Sequence, residues 1–413
     1  MTRRLWGIPS GLALALVAAC LPVQAQPAAA GNEEIRQGFE AAWAHQPEQR
    51  GAALRRDAAA AAAQAARRWS PQPPALELSA KTDRLNRNEG TREYEAAVAV
   101  PLWLPAERAR AQAAASAESA LTEAKILAAR WRVAAHVREA YWAHQRARLE
   151  HELAQQRRSS AQQLGADVAR RVAAGELARA DAHQAELAVA AADSAVAQAQ
   201  VELAQAAQQW LALTGNAGLP ASAPVPEPMP SAAEAQWAHP ALDELSARAN
   251  AAGRLRSLTA AQARPNPELV LGAARERGAL GESYRHSVIV GLRVPLGTYG
   301  DSTARVAAAS AEQLEAQTEL ALQQDRVAAE ARAARARLQA LSGAATAAER
   351  RAQLAAELRG FIEKSFRAGE SDLPARLRVE IEAVEAERQA ARARIDVAAA
   401  ISQLRQALGL LPE

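Results

Sequence analysis

Residues 171–186 read RVAAGELARADAHQAE, and one glycine in this stretch separates two long helical patterns. Before it, the run 105–174 has no internal proline, and its roughly 70 residues of α-helix would be ~105 Å long. After it, a second helical run, 176–213, continues until Gly215 ends the pattern. Glycine tolerates the positive φ that a sharp reversal requires. The stretch therefore predicts the tip of a long helical hairpin, in which Gly175 makes the turn.

Two short segments with strand periodicity precede this hairpin. Apolar and polar residues alternate in each segment, and a polar loop, Lys81 to Arg92, lies between them. The aliphatic positions of each segment share one parity: Leu76, Leu78 and Ala80 in the first, and Val98, Val100, Leu102 and Leu104 in the second. The pattern predicts a β-hairpin over about 74–104 with one aliphatic face.

A helical run from about Glu33 to Trp69 lies before the strands and ends where Pro71 follows Ser70. Pro47 lies inside this run, so the helix is either kinked at Pro47 or begins there. This run and the helix after Gly175 together have about the length of the long helix. We therefore expect two shorter helices, stacked end to end, to lie alongside the long one.

The whole pattern occurs twice along the chain. Eight landmarks recur at an offset of 194 residues without a gap: Trp43 and Trp237, His45 and His239, Pro71 and Pro265, Pro73 and Pro267, Pro101 and Pro295, Gly175 and Gly369, Glu186 and Glu380, and Gly215 and Gly409. Rare residues and helix breakers would not coincide at one offset by chance, so the chain is a tandem duplication. The first repeat is 33–215, with its tip turn at about 171–178. The second repeat is 232–411, with a β-hairpin at about 267–297 and a tip turn at about 365–373, and the Pro-rich residues 216–231 form the linker.

Composition excludes several classes of protein. Aromatic residues make up only 4% of the chain, too few for a compact aromatic-rich core, while Ala, Gln, Glu, Arg and Leu dominate as in long helices. The net charge of +3 is spread over interleaved acidic and basic residues, a pattern that argues against nucleic-acid binding. No Ser-His-Asp order, phosphate-binding glycine loop or carboxylate cluster indicates an enzyme. Neither His136 nor His144 has an acidic partner at i+4 spacing, which argues against a metal site. We expect no catalytic residue, no cofactor and no metal site.

The first residues have the pattern of an export signal. Two arginines precede an apolar stretch, Leu12 to Ala19, that is too short to remain as a membrane anchor. Two cleavage sites fit this pattern: an ordinary signal peptidase would remove 1–25, whereas a lipoprotein signal would remove 1–19 and leave Cys20 as a lipidated N-terminus. Cys20 is the only cysteine, so the mature chain has no internal disulfide.

The strand segments have features of a membrane barrel. The chain after residue 25 has no apolar run of about 18 residues, so insertion into a membrane would need the strands. Tyr94 and Trp103 are nine residues apart on the second strand, ~30 Å along it, and Tyr284 lies near the start of the equivalent strand. We take these three as membrane-interface aromatics. Four strands cannot close a barrel and lipid excludes open sheet edges, so protomers must share one barrel, and three would supply twelve strands.

Four motifs resemble those of the TolC-like outer-membrane efflux family. Residues 171–186 are similar to its turn-and-helix signature, 210–215 (WLALTG) to its closing motif, 264–271 (RPNPELVL) to its strand-opening segment and 290–297 (VGLRVPLG) to the strand that enters the long helix. The family fold is a trimeric β-barrel in the outer membrane, continued by an α-helical tunnel through the periplasm. The resemblance therefore implies a mainly α chain with a transmembrane β part. Its two tandem repeats would form one third of a twelve-stranded barrel and of the periplasmic tunnel.

The resemblance also implies a function. Family members dock onto a periplasmic adaptor and an inner-membrane pump, so we expect passive conduction of substrates handed over by the pump. The compact length and the PNPEL segment are most similar to the branch that serves heavy-metal pumps of the resistance-nodulation-division class, which predicts metal cations as cargo. The alternatives are efflux of drugs or organic compounds, a type I secretion duct or, in another class, a periplasmic coiled-coil adaptor or structural protein.

Family resemblance assigns the tip turns to adaptor docking and channel opening. The candidate docking residues, expected to form an exposed polar collar, are Arg171, Gly175, Glu176, Arg367, Gly369, Glu370, Ser371 and Asp372. Some family members have carboxylates six and nine residues after the second tip glycine, where this chain has Ala375 and Arg378. The matching positions of the first repeat hold Asp181 and Gln184. Asp181 and Arg378 are therefore the candidate gate residues, although the acidic pair is incomplete.

Overall fold

The computed structural model describes residues 30–86, 88–215, 217–231, 234 and 238–412. Within these residues the helices are α1 (Ala30–His45), α2 (Pro47–Ala66), α3 (Glu107–Ala173), α4 (Arg179–Thr214), α5 (Pro240–Ala261), α6 (Ser302–Arg367) and α7 (Leu373–Ala407), and the strands are β1 (Ala75–Thr82), β2 (Arg92–Pro101), β3 (Glu268–Arg277) and β4 (Arg285–Arg293). The prediction of a mainly helical chain with a small β part is confirmed. The predicted export signal, Cys20 and Trp237 lie outside the described residues.

Pro47 begins a new helix and does not bend an existing one. Gln46 has extended backbone angles, φ −71° and ψ 140°, between the end of α1 and the start of α2. Proline fits the first turn of a helix because the N–H that it lacks would have no intrahelical partner there. The second copy is similar, since Pro240 opens α5 directly after His239.

The two long helices, α3 and α6, organise the packing. α3 contacts α2 and α5 in the half that adjoins the sheet, and α4 and α7 in the half that leads to the tip turns, while α6 contacts α5 and α7. The expectation of two shorter helices stacked alongside each long one is therefore confirmed. The largest apolar cluster lies where α1 packs against α3 and α4, and it contains the buried rings of Phe39, Tyr141, Trp142 and Trp210.

None of the described helices combines the length and the hydropathy that crossing a bilayer requires.

The four strands form one antiparallel sheet in the order β1-β2-β3-β4. Both predicted hairpins are present, and β2 pairs with β3, so the sheet joins the two copies. The strands are shorter than predicted, since β2 ends at Pro101. Leu102 N–H still donates to Pro267 O at 2.7 Å, but neither Pro101 nor Pro267 has an N–H with which to continue the ladder. In the described part of the chain β1 and β4 are the sheet edges.

The sheet register corrects the repeat alignment by one residue. Leu76 pairs with Val98 in the first hairpin, and Leu269 pairs with Leu292 in the second. Val98 therefore corresponds to Leu292 at the offset of 194 residues, whereas Leu76 corresponds to Leu269 at an offset that is one residue shorter. The prediction of a repeat without a gap is wrong within the first strand of each hairpin, where pairing with the neighbouring strand decides which residues are equivalent.

Candidate functional site

The register places the aliphatic residues of all four strands on one face of the sheet. One row across the sheet is Leu76, Val98, Leu271 and Val290, and the next is Leu78, Ala96, Ala273 and Val288. These side chains have few neighbours within the chain: Val290 is 71% exposed and Val288 is 81% exposed. Aliphatic rows on both hairpins are thus aligned into a single uncovered apolar surface.

The opposite face is polar and concave. Arg293 Nη1 lies 2.9 Å from Glu268 Oε2 on the adjacent strand β3 and 3.6 Å from Glu77 Oε1 on β1. β1 and β4 are at opposite edges of the sheet, so their side chains can meet only if the sheet curls toward this face. We call it the concave face and the aliphatic side the convex face.

The three predicted interface aromatics lie at the two ends of the sheet. Tyr94 is on β2 and belongs to the convex face, at the end near the hairpin loops. Tyr284 directly precedes β4, and its ring packs under the guanidinium of Arg275, 4.1 Å from the ring centre. Trp103 lies beyond β2, where its Nε1 donates to Arg68 O at 3.1 Å. Its predicted place on the strand is wrong because β2 ends at Pro101.

Each tip turn is a helix end closed by a left-handed glycine. Gly175 has φ 77° and Gly369 has φ 78°. The N–H of Glu176 donates to Arg171 O at 2.9 Å, and the N–H of Glu370 donates to Ser365 O at 2.9 Å. Bonds of this span, together with a glycine at positive φ, satisfy the last carbonyl groups of α3 and α6. The two copies therefore make the same turn with different side chains around it.

Two carboxylates near the tip turns cap the helices that follow. Asp181, a candidate gate residue, accepts a hydrogen bond from Ala178 N–H at 3.0 Å in the first turn of α4. Asp372 accepts one from Ala375 N–H at 2.9 Å at the start of α7. Carboxylates are favourable at these helix N-termini because they satisfy free N–H groups and face the positive end of the helix dipole. Arg378, the other candidate gate residue, is exposed on α7.

The two tips pack against each other through Phe366, which is 3% exposed. The guanidinium carbons of Arg171 and Arg376 lie 4.9 Å and 4.8 Å from its ring centre. Leu164, Val168, Ala185 and Leu373 complete this cluster. Arg171 and Ser371 are consequently half-buried, so the expected collar is less exposed than predicted. Glu176, Glu370, Asp372 and Arg367 remain exposed, with Arg367 paired to Glu363.

Substituting Gly175 with alanine should isolate the cost of the turn's backbone conformation. A Cβ at Gly175 would meet no atom within 4 Å, so only left-handed strain opposes the change, and we expect a loss of about 1 kcal/mol in unfolding free energy. Gly343, in the interior of α6, has equally open surroundings. Gly343→Ala should instead raise the unfolding free energy by about 0.5–1 kcal/mol. Chemical denaturation of both purified variants measures the difference, and equal shifts would contradict it.

The motif 264–271 has a structural role at the junction of sheet and helices. Glu107, 1% exposed at the start of α3, accepts hydrogen bonds from Leu104 N–H at 3.0 Å and from Asn266 Nδ2 at 2.7 Å. Asn266 also donates to Leu102 O at 3.0 Å. The second copy therefore fixes the strand-to-helix connection of the first. The motif was visible in the sequence, but its partner Glu107 was not identified.

The linker holds the charged cluster that the sequence did not predict. Glu227 is fully buried, and its carboxylate accepts two hydrogen bonds from Arg138 of α3, at 2.8 and 2.9 Å. Arg405 Nε of α7 lies 3.5 Å from the same carboxylate. Glu227 is the only charged residue of the segment 217–231, which is the one signal that could have marked it.

The histidines of the long helix have no arrangement that suggests metal chemistry. Within the described residues, no group of three or more His, Cys, Asp or Glu side chains is placed to hold a metal ion. His144 is buried, and this burial, with the positive charge of Arg148 as a smaller cause, lowers the pKa of its ring. His144 is therefore a neutral core residue at pH 7.

Comparisons with known proteins agree with this geometry. Residues 39–216 match the family model described as outer membrane efflux protein. No curated protein sequence matches the chain significantly.

Several solved outer-membrane proteins have a similar fold. The outer membrane protein VceC of Vibrio cholerae superposes with a TM-score of 0.74 at 18% identity, over 92% of this chain and 97% of that one. The CmeC outer membrane channel of Campylobacter jejuni gives 0.69 at 16% identity, over 91% and 86%. The open state of the MtrE outer membrane channel of Neisseria gonorrhoeae gives 0.72 at 18% identity, over 91% and 89%.

These structural matches cover both copies of the repeat, whereas the family model matches the first. The second copy follows the first with the same order of strands, long helix, tip turn and closing helix. The first copy therefore matches the outer membrane efflux protein family over residues 39–216, and the second copy repeats the same architecture in the fold that the solved structures share.

Proposed function

We propose that this protein is the exit duct of a tripartite efflux system in the outer membrane of a Gram-negative cell, with its helices extending into the periplasm. Substrates would pass through it without chemistry after an inner-membrane pump and a periplasmic adaptor hand them over. The curled sheet carries the proposal, because exposed aliphatic rows point outward and charged side chains point inward. Lipid outside and water inside is the environment that suits such a sheet.

A closed barrel requires more than one chain. An edge strand in lipid would leave N–H and C=O groups without partners, at a cost of several kcal/mol for each group. We propose a homotrimer of twelve strands, in which β4 of one protomer pairs with β1 of the next. Within each chain, the β2–β3 pair is the repeat equivalent of this seam between protomers. Ala99 is equivalent to Arg293, and Val270 is equivalent to Glu77. Because Ala99 pairs with Val270, we expect Arg293 to pair with Glu77 of the next protomer. Opposite charges would thus face each other across each protomer boundary on the concave face.

The tip turns are the proposed docking end of the duct. Glu176, Glu370, Asp372 and Arg367 present exposed charges there, and they suit a polar, reversible contact with the adaptor. Gly175 and Gly369 shape the turns, while Arg171 and Ser371 would support them from half-buried positions. Asp181 and Arg378 remain the proposed gate residues.

Metal cations remain the proposed cargo, supported by the resemblance of the PNPEL segment to the branch that serves heavy-metal pumps. The pump would belong to the resistance-nodulation-division class. No metal-binding cluster is needed in the duct, since a wide water-filled channel leaves selection to the pump.

A deletion strain tests the proposed function. We expect to find the protein in the outer-membrane fraction. We also expect that deleting its gene increases the sensitivity of the cells to toxic compounds, and that a plasmid copy of the gene restores resistance. Growth is compared across divalent metals, copper, silver, and a panel of drugs and dyes. Sensitivity to metals and to no other compound would support metal cations as the cargo. Sensitivity to drugs would show instead that the cargo is drugs or organic compounds.

Two results would overturn the proposed duct. One is a protein that fractionates with soluble periplasmic proteins. The other is growth of the deletion strain that equals that of the wild type with every metal, drug and dye tested. Loss of a secreted protein with resistance unchanged would instead assign a type I secretion duct.

A further inference from the structure

The convex face changes its chemistry at the end near the hairpin loops. The aliphatic rows give way there to a row of Ala80, Tyr94, Arg275 and His286, followed by a row of Thr82, Arg92 and Arg277. We call Arg92, Arg275, Arg277 and His286 the convex basic cluster. Arg275 and His286 are exposed, and Arg92 and Arg277 are half-exposed. Four basic side chains therefore border one end of the apolar surface.

Charge is segregated between the two faces. Every acidic side chain of β1–β4, all of whose residues are described, has the parity of the concave face: Glu77, Glu93, Glu95, Glu268 and Glu276. Basic residues on that face have carboxylates nearby, as Arg293 has with Glu268 and Lys81 with Glu93 at 3.6 Å. The convex basic cluster has no carboxylate among its strand neighbours on the same face. Its positive charge is therefore available to a ligand outside the chain.

Neighbouring groups hold two of the arginines in place. The guanidinium carbons of Arg275 and Arg277 lie 4.1 and 5.1 Å from the ring centre of Tyr284. Arg277 Nε also donates to Gly90 O at 3.1 Å. Stacking of this kind fixes the guanidinium plane and leaves donor N–H groups for other partners. The arrangement suits planar, bidentate binding of an oxyanion such as phosphate.

The cluster also lies at the depth of lipid headgroups if the sheet spans a membrane. Val100 and Arg92 are eight residues apart on β2, about 26 Å along the strand. At a tilt of ~40° this spans ~20 Å of the membrane normal, close to the ~25 Å height of an outer-membrane apolar band. The hairpin loops lie at the end of the sheet away from the helices. With the helices in the periplasm, the cluster faces the outer leaflet.

We propose that the convex basic cluster binds the phosphate groups of lipopolysaccharide in the outer leaflet. This inference rests on the proposed outer-membrane location. The lipid's acyl chains would pack on the aliphatic rows while its phosphates meet the guanidinium groups above them. A phosphate-bearing lipid fits both features at once, whereas free phosphate would use only the charges.

Lipid binding to the purified full-length protein tests this proposal. The probes are bisphosphorylated lipid A, dephosphorylated lipid A and inorganic phosphate, and the readouts are lipid bound per protein and the thermal midpoint. We expect binding of the bisphosphorylated lipid to fall about 100-fold in the triple variant Arg92→Gln/Arg275→Gln/Arg277→Gln, roughly fivefold for each arginine. The control Lys81→Gln/Arg285→Gln removes two positive charges of concave parity and should bind the lipid as the wild type does.

Several outcomes would overturn the proposal: equal binding of the two lipids by the wild type, undiminished binding by the triple variant, or an equal loss in the control. If inorganic phosphate raises the thermal midpoint and neither lipid does, the convex basic cluster is a site for free phosphate. The comparison of lipids needs no variant, so it decides the question even if the triple variant fails to assemble. Fractionating the membranes of cells that produce the wild-type protein separates failure of the lipid-binding proposal from failure of the proposed exit duct. A wild-type protein that is absent from the outer membrane contradicts the exit duct itself.

Discussion

Replacing Glu227 with alanine is expected to lower the free energy of unfolding by about 3–5 kcal/mol. The substitution removes the carboxylate that accepts both hydrogen bonds from Arg138 and lies 3.5 Å from Arg405 Nε. Two guanidinium groups, each less than 5% exposed, would then share a buried site in which Arg138 has lost its carboxylate and Arg405 keeps only that of Glu234, 3.5 Å away. Chemical denaturation of the purified protein in detergent measures the loss.

Two further variants test whether charge balance is the cause. Arg405→Leu leaves the Arg138–Glu227 pair neutral, so it should destabilise the protein less than Glu227→Ala does. Glu349→Ala removes an exposed ion pair with Arg394 that also joins two helices, and its cost should stay below about 1 kcal/mol. If Arg405→Leu proved the more damaging change, the buried charge would not be what holds the linker.

The linker cluster marks the limit of reasoning from the repeat. Glu33 stands 194 residues before Glu227, yet Glu33 is half-exposed and accepts a hydrogen bond from Arg36 on its own helix at 2.9 Å. Arg405 corresponds in the same way to Leu211. Equivalent positions thus have different partners, because the linker packs between α3 and α7 in one copy only. Burial of Glu227 depends on contacts more than 80 residues away, and no local pattern carries that information.

Features that depend on one residue or one strand were predicted well, because they need no contacts from distant parts of the chain. Gly175 and Gly369 were identified as turns because positive φ is a requirement of one residue, which glycine meets by itself. The parity of Leu76, Leu78 and Val98 fixed the aliphatic face because alternation is a property of each strand. The repeat register and the position of Trp103 failed because both depend on where strand pairing ends.

The candidate site combines both kinds of information. The parity of the strand residues separated aliphatic from polar side chains. It did not show which face of the sheet is concave, or that the aliphatic rows of the two hairpins lie on the same face. The contact between Arg293 and Glu77 across the sheet decides the first point, and the β2–β3 pairing decides the second. The packing of Arg171 on Phe366 is a contact between the copies, so a sequence interpretation that treats each copy alone could not supply it.

Replacing Val290 with arginine is expected to destabilise the membrane-inserted protein by about 2–4 kcal/mol per chain. Val290 lies in the middle one of three aliphatic rows on the convex face, with the Leu269–Leu292 row on one side and the Ala273–Val288 row on the other. A guanidinium there would be near the centre of the apolar band, where neither water nor a carboxylate of the concave face can reach it. The fraction of protein in the outer membrane and the urea midpoint of the inserted protein measure the effect.

The neighbouring residue provides the control for this change. Ile289 is adjacent on β4 but belongs to the concave face, in the row that contains Glu77. Ile289→Arg therefore places the same side chain on the same strand in the proposed aqueous lumen, and insertion should be normal. Helix packing cannot explain a difference between the two variants, since neither residue lies on a helix. If both variants insert equally well, the convex face does not contact lipid, and the proposed membrane barrel falls with it.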